Sequence, residues 1–177
     1  DNINRDAAII QIELDPTALG RYFPIAIGIC ADAPTAALQL CDEFTRLEKR
    51  RIADDWTATF KADQRAFLAA RDAEAITTAN PIQPSGLFKT LRDVLPTNAA
   101  ITMDAGTLCL QATDALNYWQ PKSLFTPLDF GLVGFSYACG LGVKLAMPER
   151  PVISLMGDGG FGMTVSEIST AVDHGIN

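Results

Sequence analysis

Apolar and polar positions along this chain alternate between two periods, and the switches between them mark its elements. Residues 7–14 (AAIIQIEL) form a β-branched apolar run that predicts a buried strand, ended by Asp15-Pro16. Residues 25–30 predict a second short strand. Asp32 and Pro34 open a helix to about Arg51, with Ala37, Leu40, Cys41, Phe44 and Leu47 on one face. Residues 54–75 keep helical spacing in Trp56, Phe60, Phe67 and Leu68. Their apolar stripe is narrow and their charges are many, which predicts a connecting helix on a surface. The stretch TTANPIQP at 77–84 predicts a loop and a boundary.

A second α/β unit follows. Helices are predicted over 84–95, 107–119, from the glycine-rich segment 130–134 to Ala146, and over 164–174. Strands are predicted over 99–103, 123–126 and 151–156. Asp104-Ala105-Gly106 is a turn at one strand's end, and residues 157–162 are another. Strands alternating with helices imply an α/β fold, a parallel sheet in Rossmann-like layers.

Composition narrows the function classes. The 177 residues are 48% hydrophobic and 20% charged, enough for a sizeable core, and carry a net charge of −7. An acidic chain without a long basic run is not built for nucleic acid or an anionic membrane. Lys49-Arg50-Arg51 is followed at once by Asp54 and Asp55 and reads as a solvated helix face. The apolar runs are too short to span a bilayer. The four cysteines form no C-x-x-C pair, and the single His174 completes no zinc site. Cys30 and Cys139 read as small core residues, and free thiols suit a reducing cytoplasm. Trp56, Tyr118 and Trp119 read as packing residues. DNINRDAAIIQIEL opens as though within a domain and HGIN stops where a helix hands over to a strand, so the chain reads as a fragment.

The chemistry concentrates in MGDGGFGM at 156–163. Gly157, Gly159 and Gly162 satisfy G-x-G-x-x-G, a dinucleotide-binding turn, which leaves a nucleotide-binding oxidoreductase as one reading. Asp158 argues against it. A carboxylate beside a pyrophosphate is repelled, more so in a low-dielectric cleft, unless a cation lies between them. Mg²⁺ is the natural cation, bound by one or two carboxylates plus phosphate oxygens. The acid that holds a dinucleotide ribose should come about 20 residues later, at the next strand's end. Asp173 comes too early, inside a helix.

Gly157-Asp158-Gly159 followed by an apolar helix resembles the start of the thiamine-diphosphate motif. The run FGLVGFSYACGLGVKLAMPERPVISLMGDGGFGM resembles the same region of acetolactate synthase-like enzymes. The resemblance implies roles for several residues. Asp158 would be a metal ligand, and the backbone of Gly157, Gly159 and Gly160 would touch the diphosphate. Gly106 and Thr107 would hold its other side, where typical acetolactate synthases have Gln-His in place of Thr107-Leu108. Gly131 would contact the aminopyrimidine. Val133 would prop the cofactor, where methionine is usual. IIQIELDPTALG and GICADA resemble the same family's middle domain, with Glu13 and Asp32 near a flavin nucleotide.

The implied organisation has three parts. Residues 1–48 are the second half of a middle domain, 49–80 a connecting helix and linker, and 81–177 the first part of a truncated thiamine-diphosphate-binding domain. The implied cofactors are thiamine diphosphate and Mg²⁺, with FAD a further candidate. The implied reaction is decarboxylation of a 2-oxo acid with carboligation, in a homodimer or homotetramer. Sulfoacetaldehyde acetyltransferase, oxo-acid decarboxylase and aldehyde lyase subfamilies share this core. The family's catalytic glutamate matches no residue here, so these residues alone are expected to give no turnover. Plainer readings stand beside these. Asp158 and Asp32 are also helix caps, Glu13 and Glu167 solvated acids, and His174 a residue that offsets a helix dipole. A non-catalytic binding module is the remaining alternative.

Overall fold

The computed structural model describes residues 3–4, 6–47, 55–127 and 129–177. The chain divides into two compact units, residues 1–60 and 61–177. Both sheets are parallel and interleaved with helices, which is the expected α/β class.

In the first unit, β1 (Ile10–Glu13) pairs with β2 (Ile27–Cys30) in parallel, Ile10 opposite Ile27 and Glu13 opposite Cys30. Gln11, the polar residue inside the apolar run, ties down the connection between them. Its side-chain nitrogen donates to Ala18 O (3.0 Å), and its oxygen accepts from Gly20 N (2.8 Å). Gly20 sits at φ +69°, a conformation that favours glycine. Helix α1 (Ala33–Arg46) opens at the Asp32 cap, whose carboxylate accepts from Thr35 N at 3.1 Å. The helix ends at Arg46 with Leu47 as its C-cap, and residues 48–51 of the expected helix, with the basic triplet, lie outside the described residues. Only Ala36 of α1 is buried, and Leu40, Phe44 and Leu47 are exposed on the face expected to be apolar. Cys30 is also exposed, against expectation. It ends a strand of a two-stranded sheet, which has a neighbour on one side only. Trp56 is exposed as well, although its ring stacks on Phe60 with centroids 5.7 Å apart. Helix α2 (Asp55–Ala73) forms where a helix is expected over 54–75, and Asp54 lies outside the described residues.

The second unit holds a three-stranded sheet in the order β4-β3-β5, with β3 (Ala100–Met103) central, β4 (Leu124–Phe125) and β5 (Val152–Leu155). Alternation along β3 sorts its two faces. Ile101 and Met103 join Phe88 of α3 (Pro84–Val94) and Cys109, Ala112 and Leu116 of α4 (Thr107–Ala115) in one apolar core. Thr102 points to the other face, against α5 (Phe135–Ala146). Its hydroxyl donates to Ser136 O (2.8 Å) and lies 2.9 Å from Ser154 Oγ. Gly140 lets α5 approach this closely. A β-carbon there would lie 2.2 Å from Ser154 Oγ. Gly140→Ala is therefore expected to destabilise the unit by about 1–3 kcal/mol, as overpacked cores do. Denaturant unfolding measures this, and Gly140→Ala with Ser154→Ala, which removes the obstructing oxygen, is expected to recover most of the loss.

Three boundaries differ from the pattern-based reading. Helix α4 stops at Ala115, because Leu116 is extended and Asn117 to Pro121 follow without helical bonds. Tyr118 turns back and donates its hydroxyl to Ala112 O at 3.1 Å, and burial pushes its pKa up to about 12. Trp119 is exposed rather than packed. The expected turn 157–162 is largely helical. Helix α6 (Asp158–Thr164) starts immediately after Gly157, so three of the four glycines sit within it. The expected last helix is shorter, α7 (Glu167–Asp173), joined to α6 by two residues in helical conformation with three-residue bonds such as Ile168 N to Val165 O (3.1 Å). Glu167 opens α7 and accepts from Thr170 Oγ1 at 2.8 Å, and His174 follows its last turn.

Candidate cofactor site

The strand order decides where a ligand can enter. From β3 the chain crosses to β4 on one side, then returns through α5 to β5 on the other. The turns after β3 and β5 therefore diverge at neighbouring strand ends, the crevice where open parallel sheets bind ligands. The ladder carries this pairing to the edge. Met103 lies opposite Leu155, and Asp104 N donates to Leu155 O at 3.1 Å. Asp104-Ala105-Gly106 and Met156-Gly157-Asp158 thus stand side by side.

Each turn feeds a helix. Gly106, at φ +109°, precedes α4 with no side-chain cap, and Thr107 is exposed beside it. Its positive φ explains the glycine. Gly157 precedes α6, again with no side-chain cap. Among the described residues, no atom beyond the adjoining backbone and neighbouring residues lies within 4 Å of a β-carbon built on Gly106, Gly157 or Gly159, so the space over all three is open. The first-turn N–H groups of α4, open to the crevice, suit an anion. Asp158 is exposed, and its carboxylate accepts from Gly159 N at 2.8 Å. That leaves oxygen lone pairs for a hard cation. Among the described residues no cluster of three or more His, Cys, Asp or Glu could hold a metal, so phosphate oxygens or water would complete the set around Asp158. These features fit a metal-bridged diphosphate.

The third wall is the loop before α5. Gly131 (φ +69°) and Gly134 (φ +88°) both need the left-handed region, and Gly131, Leu132 and Val133 are exposed. Ala105 N donates to Leu132 O (3.4 Å), tying this loop to the β3 turn. Gly160 differs from its neighbours. It is buried, and a β-carbon there would lie 1.9 Å from Asp104 Oδ2. Asp104 itself is buried and accepts from Gly134 N (2.9 Å) and Ser136 N (2.6 Å). Pattern reading placed Asp104 in a turn and passed over Gly134 and Ser136. An acid ending a buried strand, followed thirty residues later by a glycine at a helix start, was the available signal.

Glu13 and Asp32 lie in the other unit. Glu13 accepts from Leu14 N (2.8 Å) and Asp15 N (3.2 Å), and Asp32 caps α1. Both carboxylates thus serve their own backbone.

Comparison with known proteins fits this crevice. Residues 104–177, which begin at Asp104 and contain all three walls, match the family model "Thiamine pyrophosphate enzyme, C-terminal TPP binding domain". Residues 104–177 therefore belong with the cofactor-binding domains of the thiamine pyrophosphate enzymes. A sulfoacetaldehyde acetyltransferase of Alcaligenes xylosoxydans xylosoxydans is 31% identical over 96% of this chain and 32% of its own length. The acetolactate synthase large subunit of Buchnera aphidicola is 26% identical over 97% of this chain and 30% of its own. A probable 2-ketoarginine decarboxylase of Pseudomonas aeruginosa is 27% identical over 92% and 28%. The chain thus spans about a third of the length of the curated relatives it matches. Among its described residues no helix is long and apolar enough to cross a membrane.

Proposed function

We propose that the whole protein is a thiamine-diphosphate- and Mg²⁺-dependent enzyme that decarboxylates a 2-oxo acid and transfers the remaining acyl unit to an acceptor, in the manner of acetolactate synthase. The observation that carries this is Asp158. It is an exposed carboxylate on an otherwise open glycine turn, inside the matched family segment and beside the uncapped start of α4. The relatives include an acetyltransferase, a synthase and a decarboxylase.

Asp158 holds the metal, which screens its charge from the diphosphate. Backbone N–H groups of Gly157 and Gly160 would face one side of the diphosphate, with that of Gly159 joining them once metal draws the Asp158 carboxylate away, and those of Gly106 and Thr107 would face the other. Gly131 would lie against the aminopyrimidine, and Val133 would prop the cofactor. Bound thiamine diphosphate supplies the electron sink, and the protein supplies orientation and charge. In this reading residues 1–48 belong to a middle domain, 49–80 connect, and 81–177 begin the cofactor domain. The protein works in the cytoplasm as a homodimer or homotetramer. FAD forms no part of the proposal.

Calorimetric titration of the full-length protein with thiamine diphosphate tests the reading. Saturable binding is expected in magnesium, with at least tenfold weaker binding in excess chelator. Equal affinity in both conditions removes the metal bridge. Absence of carbon dioxide release from pyruvate and other 2-oxo acids, with both cofactors present, removes the enzyme reading.

A further inference from the structure

Asp104 is a buried carboxylate, and among the described residues no cationic side chain pairs with it. Among the described residues its hydrogen-bond partners are backbone N–H groups, Gly134 N at 2.9 Å on Oδ2 and Ser136 N at 2.6 Å on Oδ1. Both donors belong to the start of α5. A carboxylate there satisfies two of the helix's orphan donors and complements the positive end of its dipole. The same Oδ2 presses against Gly160 so closely that a β-carbon would overlap it. One side chain at the end of β3 therefore fixes two things. It sets the height of the loop carrying Gly131 and Val133, and it sets the seat of the first turn of α6, which carries Asp158.

We propose that Asp104 is a positioning residue for the cofactor. It occupies the N–H groups at the start of α5, so that terminus does not compete for the diphosphate, and it holds the Gly131–Val133 loop and the Asp158 turn in register. This rests on the thiamine diphosphate reading above and adds to it a residue that touches neither metal nor cofactor.

Gly160 gives the idea a second handle. With Asp104 in place, a methyl group on residue 160 has to displace the carboxylate or lift α6. With a smaller residue at 104 the same methyl group finds space. The two positions are therefore expected to be coupled, as directly contacting residues are.

The test is made on the full-length protein. Asp104→Asn keeps the shape but turns one acceptor into a donor that faces an N–H group. The concentration of thiamine diphosphate giving half-maximal binding, at fixed excess magnesium, is expected to rise about tenfold or more, since supporting residues of metal sites carry effects of 10–100-fold. The loss of activity is expected to shrink when cofactor is in large excess. A purely structural role would instead lower the folded fraction and leave the affinity of the remainder unchanged. Should Asp104→Asn not fold, Gly160→Ala is expected to raise the same half-saturation, and Gly160→Ala with Asp104→Gly to fall short of the product of the two single effects. Wild-type protein that binds the cofactor together with folded Asp104→Asn of equal affinity overturns the positioning role and leaves the cofactor reading intact. If Asp104→Asn does not fold, unchanged half-saturation in Gly160→Ala overturns it equally. Wild-type protein with no affinity for thiamine diphosphate overturns the cofactor reading itself.

Discussion

Asp158→Ala is expected to weaken thiamine diphosphate binding by about a hundredfold or more in excess magnesium. Residues that only support a metal's ligands already carry 10–100-fold effects, and a direct ligand should exceed them. The variant is expected to fold normally. Asp158 is exposed, and its carboxylate bonds to the adjacent Gly159 N, a local contact on an open turn. Thermal unfolding without cofactor checks the fold, and calorimetry with magnesium reads the affinity. Asp158→Asn, which keeps one oxygen donor without the charge, should lie between wild type and alanine. Equal affinity in wild type and Asp158→Ala would remove the metal from this turn, and Asp158 would then be a helix-start acid only.

The second large effect lies at the opposite end of the sheet. Arg150 precedes β5 and reaches the approaches to both other strands. Its Nε donates to Asn98 O (2.7 Å) and its Nη2 to Ala99 O (3.1 Å), just before β3. Its Nη1 donates to Lys122 O (3.0 Å) and its Nη2 to Ser123 Oγ (2.9 Å), just before β4. One guanidinium thus ties together the entries of all three strands. Hydrogen bonds from a charged group contribute about 1.5–3 kcal/mol each, and several are lost together in Arg150→Ala. Arg150 is half-buried, so a loss of about 3 kcal/mol is expected, lowering the melting midpoint by about ten degrees for a unit of this size. Arg150→Lys should recover less than half, because an ammonium group cannot span the fork. A midpoint within about two degrees of wild type in Arg150→Ala would refute this account.

How far the sequence speaks for the structure differs between elements. The strands at 100–103 and 152–155 were readable because β-branched and apolar runs bounded by turns allow little else. The glycine turn was readable as a site because Asp158 creates an electrostatic problem that one kind of ligand solves. Its conformation was not readable. Four glycines in six residues favour a turn by propensity, yet α6 forms, and packing sets the choice, with Gly160 seated against Asp104. The roles of Arg150 and Asp104 were not legible because most of their partners are backbone atoms, which leave no trace in residue types. The exposure of Cys30, Leu40 and Phe44 could not be read either, since period fixes which face is apolar but not what covers it.

The central position of β3 also governs the order of assembly. Thr102 and Ser154, neighbours across the sheet, are 52 residues apart in sequence, whereas β4 follows β3 closely. Closing the longer loop costs more entropy, and topologies rich in such distant pairings fold slowly. The crevice is therefore expected to close late, because the turn after β5 is its last wall to be made. The apolar layer of α3, α4 and β3 needs none of that longer loop, so it is expected to form first.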